Sequence, residues 1–167
     1  MRCKKNALFE VNHCLEQKPY VDWKYEKLRN LVRTPPKQRQ GNGHRVAYRF
    51  TTLSLPELTE YYRRFYWQGK KRIPDDLDVS PLQLATWFMD DGSKSRKTIY
   101  FNTRQFSLEC QKRLIEKLAG VGIKCTLNRD KIYYRLWVSV ESIRRLVEMI
   151  QPHMLPMFFY KLPIMTP

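Results

Sequence analysis

Apolar positions along this chain recur with two periods, and segments of the two kinds alternate. Strict alternation of apolar and polar side chains, typical of half-buried strands, predicts β-strands over residues 7–14, 44–52, 97–103, 123–129 and 131–139. Apolar side chains spaced three or four positions apart predict helices between these strands, and residues 37–44 are expected to form a basic loop or hairpin turn. The pattern therefore indicates an α+β fold.

Proline and glycine mark the ends of the predicted helices. One helix begins at Pro19 and ends before Pro35-Pro36, and a short one follows Ser54-Leu55-Pro56. A third covers residues 108–122 and closes on glycine, and a fourth contains Ile143–Ile150. The apolar side of the short helix is predicted to be Leu58, Tyr61, Tyr62 and Phe65.

Residues 80–92 are predicted to form a buried helix with an unusual end. Ser80 can cap the free backbone N–H groups, and Pro81 suits the first helical position. The helix is apolar nearly all round, through Leu84, Ala85, Trp87, Phe88 and Met89.

The helix ends in two carboxylates, Asp90 and Asp91, followed by Gly92. A helix C-terminus carries partial negative charge, and a buried carboxylate is costly unless a cation meets it. A divalent metal ion would resolve this conflict. The alternative is ordinary turn chemistry, in which Gly92 is a left-handed helix cap.

The two halves of the chain repeat one order of elements: strand, helix, two strands, helix, then a lysine shortly before a proline. In this alignment Asn12 matches Asn102, Arg49 matches Arg135 and Lys71 matches Lys161, which indicates a divergent internal duplication. We expect an N-terminal repeat over 1–78, incomplete because no helix precedes its first strand. A C-terminal repeat over 79–167 would join it in one compact unit.

The chain carries a large excess of positive charge. The 167 residues contain 31 Lys and Arg against 16 Asp and Glu, a formal net charge of +15. Such an excess predicts a polyanionic partner, usually nucleic acid.

The four cysteines show no zinc-ligand spacing and are interpreted as reduced, mostly buried thiols. The sequence shows neither a membrane-length apolar run nor a secretory signal, so we expect no membrane partner.

The segment from Leu84 to Gly92 resembles the signature of the LAGLIDADG homing endonucleases. The match is clear at Leu84, Ala85, Asp91 and Gly92, and Trp-Phe-Met-Asp-Asp-Gly looks like the variant of the monomeric, intron-encoded double-repeat branch. The resemblance implies αββαββα-type repeats, here without the first leading helix, that form a saddle-shaped antiparallel sheet. It also implies paired helices that each deliver one acid to a centre binding Mg²⁺ or Mn²⁺. Asp91 matches that acid.

The resemblance further implies that Lys71 and Lys161 lie near the metal and act in catalysis. The outward positions of the strands and the segment after Asn102 are expected to bind DNA, although a merely solvated sheet face is the alternative. The candidate DNA-binding residues are Arg45, Arg49, Lys94, Asn102, Arg104, Gln105, Lys124, Asn128, Lys131, Tyr133, Arg135 and Trp137.

The function implied is site-specific, metal-dependent cleavage of double-stranded DNA in intron homing. Cutting both strands needs an acid from each of two helices, and the sequence shows only one such acid. Three explanations are open: an upstream segment supplies the second helix, a second chain supplies it, or cleavage has been lost. In the last case the protein would bind nucleic acid without cutting, as an intron RNA maturase, a ribosome-associated protein or a transcription regulator. We expect a monomer, or a protein paired with the segment that supplies the helix, encoded in a mitochondrion or chloroplast.

Overall fold

Antiparallel sheets flanked by helices make up both halves of the chain. The computed structural model describes residues 1–41, 43, 45–96 and 98–163, with the side chain of Asp130 outside the description. It divides into two compact units, Met1–Tyr66 and Trp67–Pro167. His44 and Lys97, where two strands were predicted to begin, lie outside the described residues.

The first unit contains helices and strands in the predicted order. Its elements are β1 (Arg2–Cys3), β2 (Ala7–Leu8), β3 (Glu10–Cys14), α1 (Lys18–Leu28), β4 (Lys37–Gln40), β5 (Val46–Thr51) and α2 (Pro56–Phe65). One sheet has the order β3-β5-β4, and β1 pairs with β2. The core of this unit is built around the buried residues Val11, Val21, Tyr48 and Phe50.

Two expectations for the first unit need correction. The segment expected as a basic loop or hairpin turn is not wholly irregular, because it contains β4, which pairs with β5 from Lys37 opposite Arg49 to Gln40 opposite Val46. Tyr61 does not lie on the buried side of α2, since 54% of its surface is exposed. The buried residue of α2 is Thr59, whose Oγ1 accepts a hydrogen bond from Ala7 N at 2.8 Å.

The second unit has a four-stranded antiparallel sheet. Two short strands, β6 (Tyr66–Trp67) and β7 (Lys70–Lys71), connect the first unit to it. The elements that follow are α3 (Pro81–Asp91), β8 (Gly92–Ser95), β9 (Thr98–Phe101), α4 (Leu108–Gly120), β10 (Cys125–Asp130), β11 (Tyr133–Val138) and α5 (Val140–Ile150). The sheet order is β10-β11-β9-β8.

α3 forms as its sequence predicts. The Ser80 hydroxyl accepts from Gln83 N at 3.3 Å, and the Gln83 side chain accepts from Ser80 N at 2.8 Å, which completes a capping box. The buried residues of α3 are Leu84, Ala85, Phe88 and Met89. Burial is not complete all round, because Leu82 is 42% exposed.

Gly92 is required by packing and not by a left-handed backbone. Its φ of −76° and ψ of 148° are extended, so the alternative of a left-handed cap is wrong. A Cβ at this position would overlap the Phe88 ring. Gly92 therefore lets the chain pass from α3 directly into β8, which pairs with β9 from Gly92 opposite Phe101 onward.

The two units share a strand register. Val11 lies opposite Phe50 in the first sheet, and Phe101 lies opposite Leu136 in the second. All four residues are buried. Asn12 and Asn102 follow the first member of each pair, and Arg49 and Arg135 precede the second. The matches of Asn12 with Asn102 and of Arg49 with Arg135 therefore agree with the observed register.

Two candidate residues lie outside the strands where they were expected. Lys124 precedes β10, and Lys131 is in the turn between β10 and β11 with a left-handed φ of 58°. Of the described residues, no helix is long and apolar enough to cross a membrane.

Candidate active site and nucleic-acid interface

Asp91 is the last residue of α3 and is partly buried. Its backbone carbonyl accepts two hydrogen bonds from Asn102, from the backbone N at 3.0 Å and from Nδ2 at 2.9 Å. The helix end that carries the carboxylate is thus fixed to the residue that follows β9. Asn102 was predicted as a DNA contact, but its amide nitrogen already binds within the protein.

The electrostatic environment of Asp91 combines burial with nearby cations. Burial raises the pKa of Asp91 above its usual range, and the Asp90 carboxylate raises it further. Lys71, Lys161 and a hydrogen bond from Gln105 oppose this rise in the pKa. A dehydrated carboxylate is stabilised by an added cation, so this position favours a bound metal ion.

Lys161 approaches Asp91 from the C-terminal segment. Its Nζ donates to Met89 O, in the last turn of α3, at 2.7 Å. Burial lowers the pKa of Lys161, and the carboxylates of Asp90 and Asp91 oppose that shift. Lys94, a predicted DNA contact, instead donates to Leu162 O at 3.0 Å and so holds the segment that carries Lys161.

A cleft of about 540 Å³ opens beside Asp91. We call it the Asp91 cleft; it is lined by Asp91, Asn102, Thr103, Arg104, Gln105, Lys131, Tyr133, Tyr134 and Arg135. It brings together the predicted acid and six predicted DNA-binding residues. Their cationic side chains surround one described carboxylate, a charge distribution that suits a phosphate backbone.

A second basic cleft, of about 670 Å³, lies in the first unit. Arg45 and Arg49 line it together with Asn12, Arg39 and Gln40. The sequence interpretation missed Arg39 because Lys37–Gln40 has no apolar alternation to predict a strand. Arg39 is placed by the pairing of β4 with β5, in which it lies opposite Ala47. The sequence alone does not display this pairing.

Three further candidates lie outside the lining of both clefts. Lys124 Nζ pairs with Glu141 at 3.2 Å, and both side chains are largely exposed. Asn128 lies opposite Arg135 on the adjacent strand. Trp137 lies on the same side of β11 as Arg135, and its Nε1 is buried without a hydrogen-bond partner among the residues described.

The donor groups of the Asp91 cleft fit a hard divalent cation. Its described lining offers a carboxylate and the amide oxygens of Asn102 and Gln105, and it contains neither thiol nor imidazole. Across the described ranges there is no group of three His, Cys, Asp or Glu that could hold a metal. Mg²⁺ binds through one or two carboxylates plus substrate phosphates, so a single protein carboxylate is compatible with it.

The fold and the site define an α+β protein with an acid at the end of a buried helix, facing a basic cleft. The chain belongs to the LAGLIDADG DNA endonuclease family, whose family model matches residues 1–146. This confirms the resemblance seen in the α3 sequence.

Similar curated proteins include two named cytochrome b mRNA maturase bI2. The protein from Debaryomyces hansenii is 34% identical over 123 residues, covering 71% of this chain and 47% of the relative. The protein from Saccharomyces cerevisiae is 28% identical over 172 residues, covering 96% and 39%. Intron-encoded endonuclease ai4 of Dictyostelium discoideum is 32% identical over 127 residues, covering 70% and 77%. The chain thus spans less than half of either maturase.

Solved structures confirm the predicted fold. The homing endonuclease I-WcaI, bound to its DNA recognition sequence, matches with a TM-score of 0.88 at 21% identity, covering 99% of this chain and 80% of that chain. I-DmoI in complex with DNA and Mn matches with a TM-score of 0.57 at 14% identity, covering 93% and 88%.

Proposed function

We propose that this chain is a site-specific DNA endonuclease that hydrolyses phosphodiester bonds with a divalent metal ion. The observation that carries the proposal is the position of Asp91, which lies partly buried at the end of α3. The positive charges of Lys71 and Lys161 lower the pKa of its carboxyl group and so favour the ionised form. The surrounding cleft is basic, as a DNA-binding surface requires. Membership of a DNA endonuclease family supports the same activity.

Each residue has a distinct part in the proposed reaction. Asp91 would hold Mg²⁺ or Mn²⁺, which polarises the scissile phosphate and activates water when it is bound. Lys71 and Lys161 stabilise the negative charge that develops on the phosphate oxygens. Arg104 and Lys131 hold the DNA backbone in the cleft, and Arg135 and Asn128 read base edges.

The number of DNA strands that are cut depends on the number of acidic helices at the site. Within the described ranges, α3 is the helix that ends in an acid, so we expect the site to cut one strand by itself. Cleavage of both strands would need a second acidic helix, either from a longer form of this protein or from a partner chain.

A plasmid assay tests the activity. Supercoiled DNA carrying candidate target sequence is incubated with the protein and Mg²⁺, and nicked circles are separated from linear product. We expect nicked circles that disappear when EDTA removes the metal. Unchanged supercoiled DNA with Mg²⁺ and with Mn²⁺ would contradict the endonuclease proposal.

RNA binding without cleavage is the second candidate function. The two relatives named as maturases of cytochrome b messenger RNA favour it, and the basic sheet faces suit RNA as well as DNA. It predicts tight binding to intron RNA that Asp91→Asn leaves unchanged.

The same relatives support an origin in an organellar genome, for which we propose a mitochondrion.

A further inference from the structure

We propose that Arg113 of α4 is a positioning residue for DNA cleavage, because it fixes the segment that carries Lys71 towards Asp91. The inference rests on the proposed function, in which Lys71 stabilises the charge that develops on the phosphate. The described lining of the Asp91 cleft does not include Arg113. Arg113 therefore acts through Lys71 and not by contact with the reacting phosphate.

The position of Lys71 depends on the backbone that carries it. Lys71 is exposed, and its strand, β7, belongs to a sheet of two short strands. An exposed lysine side chain has many accessible rotamers, so its own packing does not fix where the ammonium group lies. The charge of Lys71 nevertheless acts on the Asp91 carboxyl group, whose pKa it lowers against the effect of burial. Something beyond the hairpin must hold this segment.

α4 anchors the segment that follows Lys71. Arg113 Nη1 donates a hydrogen bond to the carbonyl oxygen of Ile73 at 2.8 Å. One turn further along α4, Lys117 donates to the carbonyl oxygen of Asp75. The Ile73 side chain is itself buried, at 4% exposure. The chain is therefore held through a side chain and two carbonyl groups shortly after Lys71.

The hydrogen bond to Ile73 is the most important of the contacts of Arg113. Its ion pairs are with Asp75 at 3.0 Å and Glu109 at 3.4 Å, and these carboxylates are 88% and 83% exposed. Exposed ion pairs contribute little to stability. A hydrogen bond from a charged donor to a partly buried carbonyl is stronger, and its loss leaves the carbonyl without that donor.

Lys161 is held by an anchor of the same form. Leu162, the next residue, is buried, and its carbonyl accepts a hydrogen bond from Lys94 Nζ at 3.0 Å. Ile73 and Leu162 each come directly before a proline. In both segments a cationic side chain thus binds the carbonyl of a buried residue close to the lysine, which favours a role for the anchor in placing that lysine.

The test measures single-turnover nicking of supercoiled DNA with Mg²⁺ and, separately, duplex affinity by fluorescence anisotropy in EDTA. We expect Arg113→Ala to slow nicking about 10- to 100-fold, because a displacement of about 1 Å at a catalytic group has an effect of that order. Duplex affinity should change no more than in the matched control. Arg113→Lys keeps a cationic donor and should recover most of the parent rate.

Arg145→Ala is the matched control. Arg145 Nε donates to the carbonyl oxygen of Val121 at 2.7 Å, so the substitution also removes one arginine charge and one hydrogen bond to a backbone carbonyl. It should leave the nicking rate unchanged. Asp75→Asn removes an ion pair of Arg113 but not the hydrogen bond to Ile73, and it should keep the parent rate as well.

A double-mutant cycle separates positioning from a general loss of structure. If Arg113 acts through Lys71, Arg113→Ala should slow nicking little further in a protein that already carries Lys71→Met. An equal fold loss in both backgrounds would overturn the proposal. So would a loss in Arg113→Ala that appears only in duplex affinity, or a loss in Arg113→Lys as large as in Arg113→Ala.

Hydrogen-exchange mass spectrometry without DNA gives a readout that does not depend on cleavage. Arg113→Ala should speed exchange in peptides from residues 68–78 and leave peptides from residues 156–163 as in the parent. Unchanged exchange at 68–78 would contradict the anchor. Absence of nicking in the parent protein would instead overturn the endonuclease proposal, and the exchange result would still decide whether Arg113 holds this segment.

Discussion

Asn102 shows how one side chain changes its assigned role once its contacts are known. Its outward position on the predicted strand over 97–103 made it a candidate for DNA binding, yet its backbone N–H and its side-chain amide both donate to the carbonyl of Asp91. A side chain that fixes the end of α3 affects the position of the carboxylate more than it affects DNA affinity. We therefore treat Asn102 as a positioning residue.

Asn102→Ala is expected to slow nicking about five- to tenfold with little change in duplex affinity. The physical reason is the loss of one hydrogen bond, worth about 1 kcal/mol, at the peptide that carries Asp91. Single-turnover nicking rates and anisotropy measure the two effects separately.

Asn128→Ala is the matched control for Asn102. Asn128 lies on the sheet opposite Arg135, so its loss should weaken binding and leave the single-turnover rate unchanged. If Asn102→Ala weakens binding and leaves the rate unchanged, the positioning role is wrong.

The four thiols should differ in their reactivity in the folded protein. Cys110 and Cys125 are buried, and burial raises the pKa of Cys125 to about 12. Because the thiolate is the reactive form, at pH 8 a thiol with this pKa is ionised to only about one part in 10⁴. We expect fast alkylation of the partly exposed Cys3 and Cys14, with Cys125 labelled only after denaturation, as mass spectrometry of the labelled peptides would show.

Fast labelling of Cys125 in the native protein would contradict its burial in the core of the second unit. Alkylation in guanidinium serves as the control, since all four thiols should then react at similar rates.

Helices and strands with a clear apolar pattern were predictable from the sequence, and strands without one were not. α3 was predicted from its cap, its apolar residues and its acidic end, and the structure has all three. β8 was missed, and β4 was expected only within a basic loop or hairpin turn, because Lys37–Gln40 and Gly92–Ser95 contain almost no apolar residue. Each pairs with the strand that follows it in the chain, β5 or β9, and the periodicity within a segment does not detect such a partner.

The junction of α3 and β8 gives a test of this packing. Gly92→Ala should destabilise the protein by about 1–3 kcal/mol, because its Cβ would overlap the Phe88 ring. Gly120→Ala is the matched control, since Gly120 is helical and a Cβ there meets no atom within 4 Å. It should stabilise the protein by about 0.5–1 kcal/mol through helix propensity.

Denaturant unfolding of both glycine variants measures these changes in the free energy of unfolding. Equal effects of the two substitutions would mean that Phe88 does not pack against Gly92 as described.

Across the whole chain, the order of the elements and the net charge were predictable, and the clefts were not. Element order and net charge are properties that one sequence displays directly. A cleft depends on which side chains meet across paired strands, so Arg39 and Tyr134 escaped notice until the registers were known. The same limit applies to the contacts of Lys94 with Leu162 and of Lys124 with Glu141, which the sequence does not display.

The most direct test of the account is a comparison of Asp91→Asn with Asp90→Asn in Mg²⁺-dependent nicking of supercoiled DNA. Both substitutions remove one negative charge from the same helix end, but Asp91 lines the cleft and Asp90 is exposed. We expect Asp91→Asn to abolish nicking while duplex binding is retained, and Asp90→Asn to keep most of the parent rate. Nicking that survives in Asp91→Asn would contradict the central role of this carboxylate.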